Sequence, residues 1–246
     1  MFVGLFPEKS AARASVLRCR RVPCLFPARE PGARWSVAAP ASAPGGRIGR
    51  VSDLAAVTTA RLRLTRPAPA DLPELHALHA DARGYRHLPS ARHATVARTE
   101  ALLAGYARSW ERHGLGPWVV RAAADGRLVG MGGCGVRGDV GWNLYYRLVP
   151  EEQGRGYAQE VIAAARAAAV QARPDLPVVA YLLEHNAGSR RAAERAGLTL
   201  VWRGPDAGNP DPAAVRLVYA DRAASAAALA EFTGEGQARD SATTTS

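Results

Sequence analysis

Lysine is nearly missing from this chain: Lys9 is its only occurrence among 32 basic residues, the rest being arginine. A phosphate loop that ends in Gly-Lys-Ser or Gly-Lys-Thr is therefore excluded. Cysteine is scarce too. Cys19, Cys24 and Cys134 make an odd set with no Cys-x-x-Cys spacing, which gives neither a disulfide framework nor a zinc site and fits a reducing, cytoplasmic location. No apolar run approaches the ~18 residues that cross a bilayer, so a soluble protein without a membrane partner is predicted. Aromatic residues amount to 7%. No aromatic-basic motif or helix-turn-helix spacing accompanies the net charge of +10, which argues against nucleic-acid binding as the main role.

That charge is concentrated at one end, since residues 1–50 hold nine basic residues against only Glu8 and Glu30. Pro7, Pro23 and Pro27 and a Pro/Ala/Gly/Ser-rich run over 38–46 interrupt any sustained pattern, so 1–57 read as a disordered basic leader. A translated leader or disordered tail is preferred to an organellar transit peptide, because GC-rich coding gives the same Arg, Ala, Gly and Pro excess anywhere. At the other end, residues 223–246 begin Ala-rich, as for a short helix, and finish polar and disordered. One foldable unit remains, over 58–222.

Within it, Thr59 to Arg66 alternates like a first strand, and Asp71 with Glu74 opens a helix through about Ala82. His76 and His79 lie three apart there, and a partly exposed helix face is the preferred reading over a metal pair. A second helix is expected from Thr95 to His113, with Leu102, Leu103, Tyr106 and Trp110 on one face. Three strand-like runs, 117–123, 128–136 and 142–148, follow as a meander with turns at Asp125-Gly126 and Gly138-Asp139. A long helix spans 156–172, its Ala163, Ala164, Ala167 and Ala168 face suited to close packing on a sheet. Leu176 to Leu183 is a nearly continuous apolar run, as expected of a buried parallel strand. A helix over 187–196 and strands over 198–203 and 215–220 complete the order.

The most informative stretch joins a strand to the long helix: Gln153-Gly154-Arg155-Gly156-Tyr157-Ala158. Glycine lets backbone approach a ligand, and the first amides of a helix lack intrahelical partners, so this junction is an anion cradle. It lacks the third glycine of a dinucleotide fingerprint, and it comes late in the chain after several strands.

The loop resembles motif A of the GNAT superfamily of acyl-CoA-dependent N-acyltransferases, with Gln153, Gly156 and Ala158 on its pattern, and its wording is closest to the RimJ/RimL type. A second block, Asn186-Ala187-Gly188-Ser189 followed by Glu194-Arg195-Ala196-Gly197-Leu198, resembles the family's next helix. The resemblance implies an α/β (α+β) GNAT fold: a mixed, mostly antiparallel sheet of six to seven strands around a central parallel strand-helix-strand unit. It implies direct acetyl transfer from acetyl-CoA to an amine, without a metal. A protein N-terminal amine is the family-level acceptor, with a small-molecule amine as the alternative.

By the same resemblance, the backbone amide of Leu148 or a neighbour binds the thioester oxygen, and amides from Gln153 through Ala158 take the pyrophosphate, with Arg155 at its edge. Asn186 contacts the pantetheine arm or merely caps its helix. Ser189 serves the CoA sulfur as proton donor or thiolate stabiliser, or is ordinary helix-start polarity. Arg190 or Arg191 meets the ribose phosphate, or the two form a solvated face. The resemblance has the first two helices wall the acceptor pocket, and Trp110 and Trp118 either shape it or belong to the core. Two departures stand out. Asn143 occupies the place of a glutamate base, and Ala193 that of a tyrosine. The proton then leaves through water, through a group such as Glu184 or His185, or before binding, or the domain is a non-catalytic acyl-CoA-binding regulator.

Overall fold

The computed structural model describes residues 54–207 and 209–234. The leader up to residue 53 and the polar tail from residue 235 lie outside the described residues. In chain order the elements are β1 Ala56–Thr58, β2 Leu62–Thr65, α1 Leu72–Ala80, α2 Val96–His113, β3 Trp118–Ala122, β4 Leu128–Arg137, β5 Gly141–Leu148, α3 Tyr157–Ala172, β6 Val178–Leu183, α4 Ala187–Arg195, β7 Thr199–Pro205, β8 Val215–Ala220 and α5 Ala226–Thr233. Short 3-10 turns at Ala82–Tyr85 and Pro89–Ala91 bridge α1 and α2.

The strands form one sheet in the order β1-β2-β3-β4-β5-β6-β8-β7, antiparallel at every junction except β5 with β6. Eight strands replace the six to seven expected. The run read as one strand from Thr59 is broken by a turn in which Thr59 N–H donates to Leu62 O at 2.9 Å. Upstream, the three residues of β1 hairpin onto β2, and three residues are too few to display a period of two.

The alternation of β5 sorts the core into two layers. Trp142, Leu144, Tyr146 and Leu148 pack with Val161, Ile162 and Ala165 of α3. Tyr145 turns to the other face, where Leu75 and Leu78 of α1 and Leu103 and Tyr106 of α2 cover it with Val119 and Met131. The helix α2 buries Thr99, Leu103, Tyr106 and Trp110, a stripe of helical spacing, and stops where Gly114 turns left-handed at φ 66°.

The Ala face of α3 lies one step round from its expected place. Ala165, Ala168 and Ala169 are buried beside Val161 and Ile162, whereas Ala163 and Ala167 face solvent. Alanine occurs on every side of this helix, so the large apolar residues decide its orientation. Gly132 permits the approach, because a Cβ there would meet Val161 Cγ1 at 2.7 Å. Trp110 and Trp118 are core residues, with ring centres 6.2 Å apart. Their indoles donate to Pro117 O at 3.3 Å and Leu54 O at 2.8 Å.

At the C-terminal end, α5 is capped by Ser225, whose hydroxyl accepts from Ala228 N–H at 3.1 Å. Its Phe232 is fully buried against Val179, Tyr181, Val218 and Ala220. The helix expected from Ala223 onward therefore packs on the sheet and contributes to its core.

Candidate active site

The site originates in a discontinuity of the sheet. β5 meets β6 only at Trp142–Val178 and Asn143–Val179. Past that point Leu144 to Leu148 continue along β4, reaching the pair Gly130–Leu148, while Ala180 to Leu183 continue along β8. Two parallel strands thus diverge toward their C-terminal ends, and such a crevice is where open α/β sheets bind ligands.

One rim of the crevice is the loop into α3. Gly154 and Gly156 both adopt left-handed backbone, at φ 77° and 82°, a conformation that costs other L-residues about 1–2 kcal/mol. Gly156 is the N-cap of α3, and no side chain caps that end. By contrast, Asn186 and Ser225 cap α4 and α5. The Tyr157 and Ala158 amides therefore stand ready for an anion, assisted by the helix dipole.

Two residues absent from the sequence-based set brace this end. The Arg61 guanidinium donates through Nη1 to Arg155 O at 2.9 Å, pairs with Glu160 at 2.8 Å and lies 4.6 Å over the Tyr157 ring. Glu160 also accepts from Thr59 Oγ1 and Arg61 N. Burial alone pushes the Glu160 carboxyl up, but these hydrogen bonds and the Arg61 charge together hold it below the usual carboxylate range. Arg155 bonds Glu152 at 2.8 Å, and Glu152 also holds Arg127 at 2.9 Å, so the positive charge expected at the pyrophosphate is partly neutralised. Gln153 Nε2 donates to Leu148 O at 3.3 Å, fastening the loop to the last residue of β5.

The other rim is the turn into α4. Asn186 is buried, and its Oδ1 accepts from Ser189 N–H at 3.2 Å; the capping role considered for it is thus present. Ser189 is fully buried. Opposite it, Tyr146 of β5 donates its hydroxyl to Ser189 O at 3.5 Å. Burial pushes the Tyr146 phenol up. A tyrosine hydroxyl therefore reaches Ser189 from β5, although position 193 holds alanine. Arg190 pairs loosely with Glu194 at 3.9 Å, and Arg191 is exposed.

Asn143 sits where β5 and β6 part. Its Oδ1 is buried without a hydrogen-bond partner, a state that costs about 1–3 kcal/mol. Asn143→Leu, which has the same branching and number of side-chain heavy atoms, is expected to raise stability by ~1 kcal/mol. An unfolding midpoint in urea no higher than that of the parent refutes this.

The histidines of α1 correct an expectation. His79 is fully buried, because it follows Leu75 by one helical turn and shares its inward face. Its Nδ1–H donates to Leu75 O at 2.7 Å, which leaves Nε2 to accept from Tyr145 Oη at 2.9 Å. The His93 ring stacks on it at 4.7 Å. Thr99 Oγ1 joins His76 and His93 at 2.9 and 2.8 Å. Among the described residues no group of three or more His, Cys, Asp or Glu is arranged to hold a metal ion.

Burial first, then the charges of Arg98, Arg147 and His76, hold His93 down at about 4 against an ordinary 6.5. His79 is lowered as well, by burial and then Arg147. The unfolded chain therefore binds protons that the fold refuses. This stability is full above pH 6.5 and drains as pH falls toward 4. His93 alone predicts a loss of ~2 kcal/mol between pH 7 and pH 5, above the range in which carboxylates titrate. Urea midpoints at the two pH values test it, and equal midpoints refute it.

Of the two residues after β6, Glu184 is taken up by Arg203, at 2.7 and 3.1 Å. Its carboxyl is held low by that bond. His185 instead lines a cavity with His87, Leu88 and Pro210.

A diverging parallel strand pair, an uncapped glycine-opened helix on one rim and a buried serine on the other define an acetyltransferase architecture. The acetyltransferase (GNAT) domain model matches residues 61–199, more than half of the chain, and the chain belongs to that family. An acetyltransferase from Agrobacterium tumefaciens is 27% identical, over 72% of this chain and 100% of that one, with a TM-score of 0.53. RimL, a ribosomal L7/L12 alpha-N-protein acetyltransferase solved with coenzyme A, shares the fold at 18% identity, over 66% of this chain and 94% of its own, TM-score 0.56. So does spermidine N-acetyltransferase from Vibrio cholerae, solved with CoA and spermine, at 17% identity over 66% and 95%, TM-score 0.52. No curated protein matches the chain in sequence. Among the described residues no helix is long and apolar enough to cross a membrane.

Proposed function

We propose that this enzyme transfers the acetyl group of acetyl-CoA directly to an amine, with a protein N-terminal amine as the preferred acceptor. The observation that carries the proposal is the diverging β5–β6 pair with the uncapped α3 N-terminus at its mouth. The residues fit the cosubstrate: left-handed Gly154 and Gly156 put no Cβ at two positions of the loop, and the amides of Gly154 through Ala158 offer donors to a diphosphate, whereas the Gln153 amide, expected to join them, donates to Pro150 O at 3.3 Å. Asn186 and Ser189 line the opposite rim, where the pantetheine arm and sulfur run.

Transfer needs the thioester oxygen polarised as it gains charge, and the Leu148 backbone amide is assigned that task. The departing sulfur needs a proton, for which Ser189 with Tyr146 provides hydroxyls. The acceptor cavity favours a single amine over a polycation. Among the described residues Asp211 is the one acid that lines it, and Arg86 opposes it, whereas a polyamine calls for several carboxylates. RimL is named for a protein N-terminus, which points the same way.

The test is calorimetric titration of acetyl-CoA into the full chain, followed by a thiol-release assay with a peptide bearing a free N-terminal serine and with spermidine. Micromolar binding and preferential turnover of the peptide are expected. No acetyl-CoA binding by folded protein refutes the function, and preference for spermidine refutes the acceptor.

A further inference from the structure

We propose that His185 is the general base of this enzyme, the group that takes the proton from the acceptor amine; the assignment rests on the acetyl-transfer reading above. His185 stands two residues past the end of β6, at the open end of the crevice. It lines a cavity of about 530 Å³ whose walls are His87, Leu88 and Pro89 on one side and Pro210 and Ala214 of the β7–β8 loop on the other. Arg86 borders this cavity and also a neighbouring cleft formed with Pro150, Glu151 and Gln153. The cavity therefore adjoins the loop that opens α3. It lies on the face opposite α3, because the 82–91 turn is tied to β5 there, Arg147 Nη1 donating to Gly84 O at 2.9 Å. An amine entering from this side meets the crevice across from the phosphate cradle.

The hydrogen bonding of His185 fixes which nitrogen is basic. Its Nε2 lies 3.1 Å from His87 O. A carbonyl oxygen only accepts, so Nε2 carries the hydrogen and Nδ1 keeps its lone pair. Glu184, the neighbouring alternative in the turn after β6, is occupied by Arg203 at 2.7 Å. The other titratable or charged groups around His185 are His87, Arg86 and Asp211. The His87 ring stands 6.4 Å away, and burial holds it at about 4, so near neutral pH it adds no positive charge against a protonated His185.

The step balances as follows. The substrate ammonium gives a proton to His185 Nδ1, and the freed nitrogen lone pair forms a C–N bond to the thioester carbon while the carbonyl pair moves to oxygen. Collapse of that oxyanion breaks the C–S bond. The thiolate takes the remaining surplus N–H proton through the Tyr146–Ser189 hydroxyls, and His185, which is exposed, releases its own proton to water. Ammonium and thioester thus become amide, thiol and one proton.

His185→Gln tests the assignment, because the glutamine amide still donates to His87 O but has no basic nitrogen. In the full chain, with acetyl-CoA and whichever of the serine peptide or spermidine the parent enzyme acetylates, kcat/KM at pH 7 is expected to fall by about 100-fold. The deficit narrows as pH rises and the amine loses its proton unaided, and the calorimetric Kd for acetyl-CoA stays unchanged. His185→Ala is expected to recover activity when imidazole is added to solution. A His185→Gln enzyme with parental kcat/KM and pH profile overturns the base while acetyl transfer stands. Weakened acetyl-CoA binding by His185→Gln also overturns it, showing a structural role. A parent chain that binds no acetyl-CoA, or binds it and turns over neither amine, overturns the base together with the function.

Discussion

Gly156→Glu is expected to abolish acetyl-CoA binding in the calorimeter while the protein remains folded. Three effects act in one direction. The left-handed φ of 82° strains any side chain, by about 1–2 kcal/mol. The new Cβ would already touch Arg61 Nη2 at 3.4 Å, so the rest of the glutamate side chain crowds the guanidinium that holds the Arg155 carbonyl. The added carboxylate also occupies the end of α3 where the diphosphate is proposed to bind, answering the helix dipole in its place. Together these predict a Kd raised by more than ~100-fold, or about 2.7 kcal/mol. Gly154→Ala is the milder comparison, since its Cβ meets nothing within 4 Å and only backbone strain remains. A Gly156→Glu protein that binds within threefold of the parent would remove the cradle from the mechanism.

Phe232→Ala is expected to cost about 3–5 kcal/mol of unfolding free energy. The ring has no exposed surface, and the site cannot easily collapse around a cavity because sheet residues from β6 and β8 form its floor. Its loss also uncovers Arg137, whose guanidinium lies 5.5 Å from the Phe232 ring and 5.1 Å from Tyr181. That arginine pairs with Glu231 at 2.8 Å, and Arg216 Nη1 donates to Phe232 O at 2.7 Å. A chain cut at residue 222 lacks Phe232 and Glu231 together, with every contact they make, and is expected to lose at least as much. Urea unfolding decides it: a loss below 1 kcal/mol in Phe232→Ala would show that α5 is a loosely attached appendage.

The order of strands and helices was legible because each element carries its own short-range signal: apolar spacing in α2, alternation in β2, glycine punctuation at Asp125-Gly126 and after α4. The crevice was legible through its glycines, which local backbone conformation demands. What escaped depends on distance along the chain. Arg61 and Glu160 are 99 residues apart, and neither residue has a local peculiarity that announces the pair. Tyr146 reads as one more apolar position of a buried strand, and only the crossing of α4 brings Ser189 to its hydroxyl. His79 is buried where a partly exposed face is expected, because its place one turn after Leu75 outweighs its polarity. The choice between Glu184 and His185 needed Arg203, which a strand pairing elsewhere in the sheet delivers.

The two residue pairs that join β5 to β6 have a mechanical consequence. The β4–β5 junction has eight pairs, so the sheet behaves as two stiff plates sharing a short seam, β1 to β5 on one side and β6 with β8 and β7 on the other. Rotation about that seam changes the width of the crevice mouth most and disturbs the hydrogen bonds inside each plate least. In the proposed reaction thioester and amine approach from opposite faces and meet at the mouth, so a change in that width is a change in the distance between the reacting atoms.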